Sequence, residues 1–196
     1  MGLKRRTSLV LATVLFMCVG CVGRDFVRPT DDSLQLGKTT MQEIRQRFGE
    51  PRHQGSAIEN EKAVKTFAYS YASGAGGLVG GVIPARAMNY FFYNDILVGY
   101  QFVSSFPEDR TDFSEAALDR IKKGTTEERE VIDLLGTPTG RYIYPIADRD
   151  GAAFGYAYTE TRGPTLNIRL YRKTLRISFD PNGIVTNVKF YSFGNK

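Results

Sequence analysis

Residue types that do chemistry are sparse in this chain. It has one histidine, His53, just after Pro51 and Arg52. No acid–base partner pattern accompanies it, so it reads as a solvated loop residue rather than a general base. The two cysteines, Cys18 and Cys21, lie close together in an apolar N-terminal stretch. Without a His pair or a second Cys pair, metal-ligand spacing is absent. Asp148-Arg149-Asp150 sets two carboxylates side by side, but Gly151 follows and makes the run a polar turn. There is no G-x-S-x-G elbow and no phosphate-loop lysine. These features point to a non-enzymatic chain with no cofactor, no metal and no small-molecule substrate.

Three segments suit contact rather than catalysis. Ser73 to Ala85 (SGAGGLVGGVIPA) is Gly-rich and uncharged. Two readings stand: a loop between strands, or a segment whose Leu78, Val79, Val82 and Ile83 touch lipid or a partner. Basic residues Arg162, Arg169, Arg172, Lys173 and Arg176 crowd a later segment. They read as a solvated strand face, or as contacts to anionic headgroups or an acidic partner. Phe91 and Tyr93 fall out of phase with inward-facing Met88, Tyr90 and Phe92. They form either a partner surface or a contact covered from within the chain.

The elements that must position these segments begin after residue 20. Met1 to Arg6 is positive and Thr7 to Gly20 is uncharged and mostly apolar, the layout of a secretory signal. The stretch is short for a membrane span, which needs roughly 20 apolar residues; the competing reading is a retained anchor. Gly20-Cys21 resembles the bacterial lipoprotein signal, in which a small residue precedes a lipid-modified cysteine. The resemblance implies cleavage before Cys21 and acylation there. Cys18, where that signal usually has an aliphatic residue, departs from the pattern. Losing Lys4, Arg5 and Arg6 lowers the net charge from +5 to +2, which gives no reason to expect a nucleic-acid partner. Hydrophobic content of 42% and charged content of 24% suit an ordinary globular body.

That body repeats itself. Gly37 to Pro51 (GKTTMQEIRQRFGEP) matches Gly124 to Pro138 (GTTEEREVIDLLGTP) without gaps at an offset of 87. Phe67, Tyr69 and Tyr71 then meet Phe154, Tyr156 and Tyr158. In each copy a threonine (Thr39 or Thr40, Thr125 or Thr126) caps a helix. Gly49 or Gly136 stops it in a positive-φ position, and Pro51 or Pro138 prevents its resumption. Ser114 caps an earlier helix in the second copy, ended by Gly124. Asp180-Pro181-Asn182-Gly183 reads as a hairpin turn. The expected fold is α+β. Two tandem α-α-β-β-β units span 34–106 and 113–193, each with helices packed on one face of an antiparallel sheet. Residues 1–20 are the signal, 21–33 a tether and 107–112 the junction.

The Gly-x-Thr, helix, Gly-x-Pro element, followed by an aromatic strand and a hairpin, resembles the BamE (SmpA/OmlA) family of small outer-membrane lipoproteins. The duplication is similar to the two-unit β-lactamase-inhibitor proteins. The first resemblance implies an outer-membrane, periplasm-facing lipoprotein that binds an envelope protein in membrane assembly or maintenance. The second implies an enzyme inhibitor. Acylation at Cys21 is checked by intact mass of detergent-extracted protein. The acyl mass should map to Cys21, and Cys21→Ala should leave unprocessed or unanchored protein. An unmodified Cys21 thiol in the membrane fraction would refute it.

Overall fold

A computed structural model describes residues 25–26, 28–29, 33–73, 81–163 and 167–195. The signal segment, Cys21, Leu78 and Val79 lie outside the described residues. Helix α1 is Met41–Phe48 and α2 is Glu128–Leu135. The strands are β1 (His53–Glu59), β2 (Lys62–Ala72), β3 (Val82–Ile83), β4 (Ala85–Tyr93) and β5 (Ile96–Ser104). After the junction come β6 (Gly140–Tyr142), β7 (Ala152–Arg162), β8 (Arg169–Phe179) and β9 (Val185–Phe193). All pair antiparallel in one curled sheet of order β1-β2-β4-β5-β6-β7-β8-β9, with β3 added against the end of β7.

The local bonds explain the helices. The Thr40 hydroxyl accepts the Glu43 N–H at 3.2 Å, and the Glu43 carboxylate accepts the Thr40 N–H at 2.7 Å. Before α2, the cap is Glu127, whose N–H donates to Glu130 at 2.9 Å. Neither Thr125 nor Thr126 caps it. Thr126 is buried and its hydroxyl instead accepts the Lys122 N–H at 2.8 Å, as Thr39 accepts the Gln35 N–H at 3.0 Å. The expected preceding helix is a six-residue 3₁₀ turn, Glu115–Arg120, without a side-chain bond from Ser114. In the first half its place is taken by a turn at 36–38. Each half also has a strand the hydrophobic pattern did not signal, β1 or β6. His53 therefore opens a strand rather than sitting in a loop. β1 is exposed along nearly its whole length and stays in place through its ladder to β2, so no alternation marks it.

Several bonds recur 87 or 88 residues on. Gly37 N–H donates to Leu97 at 2.8 Å and Gly124 N–H to Val185 at 2.8 Å. Leu97 N–H donates to Thr39 at 2.8 Å and Val185 N–H to Thr126 at 2.9 Å. The Tyr69 hydroxyl donates to the Gly49 carbonyl at 2.8 Å, and Tyr156 to Gly136 at 2.9 Å.

Paired residues share a sheet face, so the registers Tyr100↔Arg141 and Arg141↔Phe154 place both helices on one side. Met41 and Ile44 of α1 pack on Phe67, Met88, Tyr90, Phe92 and Phe102. Val131 of α2 packs on Phe154, Tyr156, Leu175, Ile177 and Phe179. A third cluster lies on the opposite face. There Ile146 and Ala147, beyond β6, cover Val64, Val98, Tyr142 and Ala153.

Gly49 has φ 80° and ψ −166°, and Gly136 has φ 80° and ψ −176°. This region is essentially closed to residues with a Cβ. Nothing lies within 4 Å of a Cβ built at Gly136, so only backbone strain opposes a substitution. Gly136→Ala should cost roughly 1–3 kcal/mol in thermal or urea unfolding. Gly55→Ala, in similarly open space but without a positive φ, should be neutral or stabilising. Equal stabilities for the two variants would contradict the assignment.

Candidate binding face

The helix-free face is open where the third cluster ends. Its floor is made of short side chains: Ala87 on β4, Val103 on β5, Ala157 and Thr159 on β7, and Thr174 on β8. They line a cavity of about 560 Å³ that continues into a second of about 520 Å³. Asn89, Gln101, Ala157 and Thr174 line both. The face crosses the seam between β5 and β7, so both halves of the chain contribute.

Gln101 fixes that seam. Its amide N–H₂ donates to Thr139 Oγ1 at 2.7 Å and to the Phe102 carbonyl at 2.9 Å. Its oxygen accepts the Tyr142 hydroxyl at 2.7 Å. Burial pushes the Tyr142 phenol well above its ordinary range, so it stays a donor. Gly155 faces this group: a Cβ there would stand 2.3 Å from Gln101 Oε1.

Basic groups divide between the rim and the interior. Arg169 and Arg172 are exposed on β8 and Lys189 on β9. Arg176 is half-buried, pairs with Glu59 at 3.2 Å and lies over the Tyr142 ring, tying β8 to the edge strand β1. Lys173 is not a surface cation. It is 3% exposed, pairs with Asp112 at 2.8 Å and Glu115 at 3.4 Å, and donates to the Phe113 carbonyl. Its residue parity points it to the helix side, so it cannot meet lipid or an outside partner.

Phe91 and Tyr93 are likewise not an open aromatic surface. Both are half-buried against the third cluster, with the Phe91 and Tyr142 rings 5.7 Å apart. The cover is the 143–147 segment, remote in sequence from β4. Val82 is buried, and Val82 and Ile83 pair with Arg162 and Thr161 as strand β3 rather than lying free. Asp148 to Asp150 are exposed in a turn, as expected.

Sequence reasoning missed the role of the junction. Arg86 is 9% exposed and pairs with Asp25 at 2.8 Å, Glu108 at 2.6 Å and Asp109 at 2.7 Å. Glu160 is 1% exposed. It accepts from Arg162 at 2.6 Å, Arg110 at 3.3 Å and the Tyr158 hydroxyl at 2.5 Å. Residues 108–115 thus supply partners for buried charges on β4, β7 and β8. The tether is docked as well. Asp25 meets Arg86, Phe26 packs on the first core, and Arg28 donates to the Pro138 carbonyl at 2.9 Å. The signal for these roles was a surplus of acidic residues at 108, 109, 112 and 115.

Residues 113–189 match the family model described as the outer membrane protein assembly factor BamE domain. The match makes this segment similar to that domain. The matched segment runs from Phe113, beside Lys173, into β9, and so includes the β6 side of the seam together with Thr174 and Arg172. Among curated proteins none matches the chain. A Streptococcus mutans crystal structure, described as a candidate β-lactamase inhibitor protein, aligns with 82% of this chain and 91% of its own. The identity is 13% and the TM-score 0.41.

Burial opposes ionisation of Glu160, but the bonds from Arg162 and Tyr158 outweigh it and hold the carboxyl below its ordinary value. A lowered folded-state pKa stabilises above the unfolded value, near about 4.3, and the gain fades as pH falls through the folded value. Glu160→Gln should therefore lower the melting temperature at pH 7 and flatten its decline below about pH 4.5. A variant with the wild-type acid slope would show that Glu160 is not coupled to folding.

Proposed function

We propose that the chain is a lipid-anchored, periplasm-facing outer-membrane protein of two BamE-like units, residues 34–106 and 113–193. It acts by binding an envelope protein during membrane assembly or maintenance, and carries no catalytic activity. The observation that carries this reading is the match to the BamE family model over 113–189. The recurring bonds around Gly37 and Gly124, Thr39 and Thr126, and Tyr69 and Tyr156 support a second unit before it. The matching strand orders, β1-β2-β4-β5 and β6-β7-β8-β9, support it too. The anchor is the acylated Cys21, left after removal of residues 1–20.

The binding surface is the open face. Short floor side chains let a partner loop approach the backbone closely, and Asn89, Thr159 and Thr174 offer hydrogen bonds. Arg52 and Lys189 on the rim favour an acidic segment. An interface centred on such a cleft concentrates its energy in a few contacts.

The test uses a photo-crosslinking amino acid in the full-length protein in intact envelopes. Placed at Ala87 or Thr174, it should yield a discrete protein adduct. Placed at Asp133, exposed on α2, it should yield none. If neither groove position gives an adduct above the Asp133 background, the binding reading fails.

A further inference from the structure

Three of the large apolar side chains exposed among the described residues gather at one end of the sheet. Ile168 is 54% exposed, Leu170 41% and Phe193 56%. Arg169 and Arg172 are exposed beside them, and Arg172 pairs across the ladder with Phe193. Such a mixture is costly in water and suited to the boundary of a bilayer, where apolar bodies sink and guanidinium groups stay with phosphates.

The first described N-terminal residue, Asp25, lies at the same end. Asp25 is held by Arg86 near the start of β4. The preceding strand, β3, pairs Ile83 with Thr161, and Thr161 pairs with Leu170. From β3 to β9 is three strand spacings, about 15 Å. Only residues 22–24 separate Cys21 from the docked Asp25, a reach of roughly 14 Å when extended. A tether released at residue 33 could hold the body some 40 Å away, but docking at Asp25 and Arg28 prevents this.

We propose that this end of the sheet is a bilayer-docking face. Ile168, Leu170 and Phe193 enter the lipid interface, and Arg169 and Arg172 meet phospholipid phosphates. The short tether holds the patch against the membrane, so the contact needs little affinity of its own. The proposal rests on the anchored reading of Cys21. It commits the chain to one orientation, with the Asp180–Gly183 turn pointing away from the membrane.

The chain contains no tryptophan, so one introduced residue reports its own surroundings. Full-length acylated Phe193→Trp and Asn182→Trp proteins are reconstituted into vesicles of phosphatidylcholine and phosphatidylglycerol with brominated acyl chains. Phe193→Trp should show about twofold quenching and a blue-shifted emission. Asn182→Trp, at the far end of β8–β9, should show neither. Adding Arg169→Glu and Arg172→Glu to Phe193→Trp should reduce the quenching while the protein still floats with the vesicles. Protein that floats with Phe193→Trp unquenched overturns the docking face and leaves the patch to a protein partner. Protein that does not float removes the anchor reading, and the docking face falls with it.

Discussion

One buried amide braces the narrowest part of the sheet. β5 and β6 share three register pairs, from Gly99↔Tyr142 to Gln101↔Gly140, extended by bonds from the Phe102 N–H to Thr139 and from the Ile143 N–H to Val98. To this short ladder Gln101 adds side-chain bonds, donating to Thr139 and Phe102 and accepting from Tyr142. Each of these groups is buried, so losing one partner would leave another unpaired at about 1–3 kcal/mol. The network therefore works as a unit. It also imposes size. The backbone at Gly140 and Gly155 approaches Gln101 so closely that neither position has room for a Cβ.

A second constraint acts on the helix side. Arg86, Glu160 and Lys173 are buried charges on three strands, and such groups are tolerable only when paired. Their partners come largely from residues 108–115 and from Asp25. A junction that contributes Glu108, Asp109, Arg110, Asp112 and Glu115 to fixed ion pairs is a clamp rather than a hinge. Thr111 adds to it, donating to the Ala157 carbonyl at 2.7 Å while accepting the Ser104 N–H at 3.0 Å. The relative placement of β4, β7 and β8 thus depends on the segment that composition alone reads as a connector.

Legibility in the sequence followed the range of the interaction. The helix stops at Gly49 and Gly136, the Asp180–Gly183 turn and the inward faces of β4 and β8 are set by neighbours within a few residues. They were readable. β1 was not, because an exposed strand needs no apolar alternation. The surroundings of Phe91, Tyr93, Lys173 and Arg176 were not, because their partners lie tens of residues away: Phe91 under 143–147, Lys173 beside Asp112, Arg176 beside Glu59. A lysine on a strand among arginines carries the same local signature whether it faces water or a buried carboxylate. Of the open face, only its basic rim was legible. Its short floor residues gain meaning once the seam brings β5 and β7 together.

Many of the bonds that recur between the halves are made by backbone groups: Gly37 to Leu97, Leu97 to Thr39, and their counterparts 87 or 88 residues on. Backbone bonds survive extensive side-chain change, so the two halves share this geometry although residues such as Phe91 and Ser178 differ. The side chains that join the halves have no such freedom. Gln101 must meet Tyr142, Arg176 must meet Glu59, and Arg86 must meet the junction acids, each pair made once. Where the two halves of the chain meet there is therefore a buried network to which both contribute, and glycines face Gln101 where the strands close up. The cavities run across that line, over the short side chains of Ala87, Val103, Ala157 and Thr174, so the groups that brace the seam also underlie the open face.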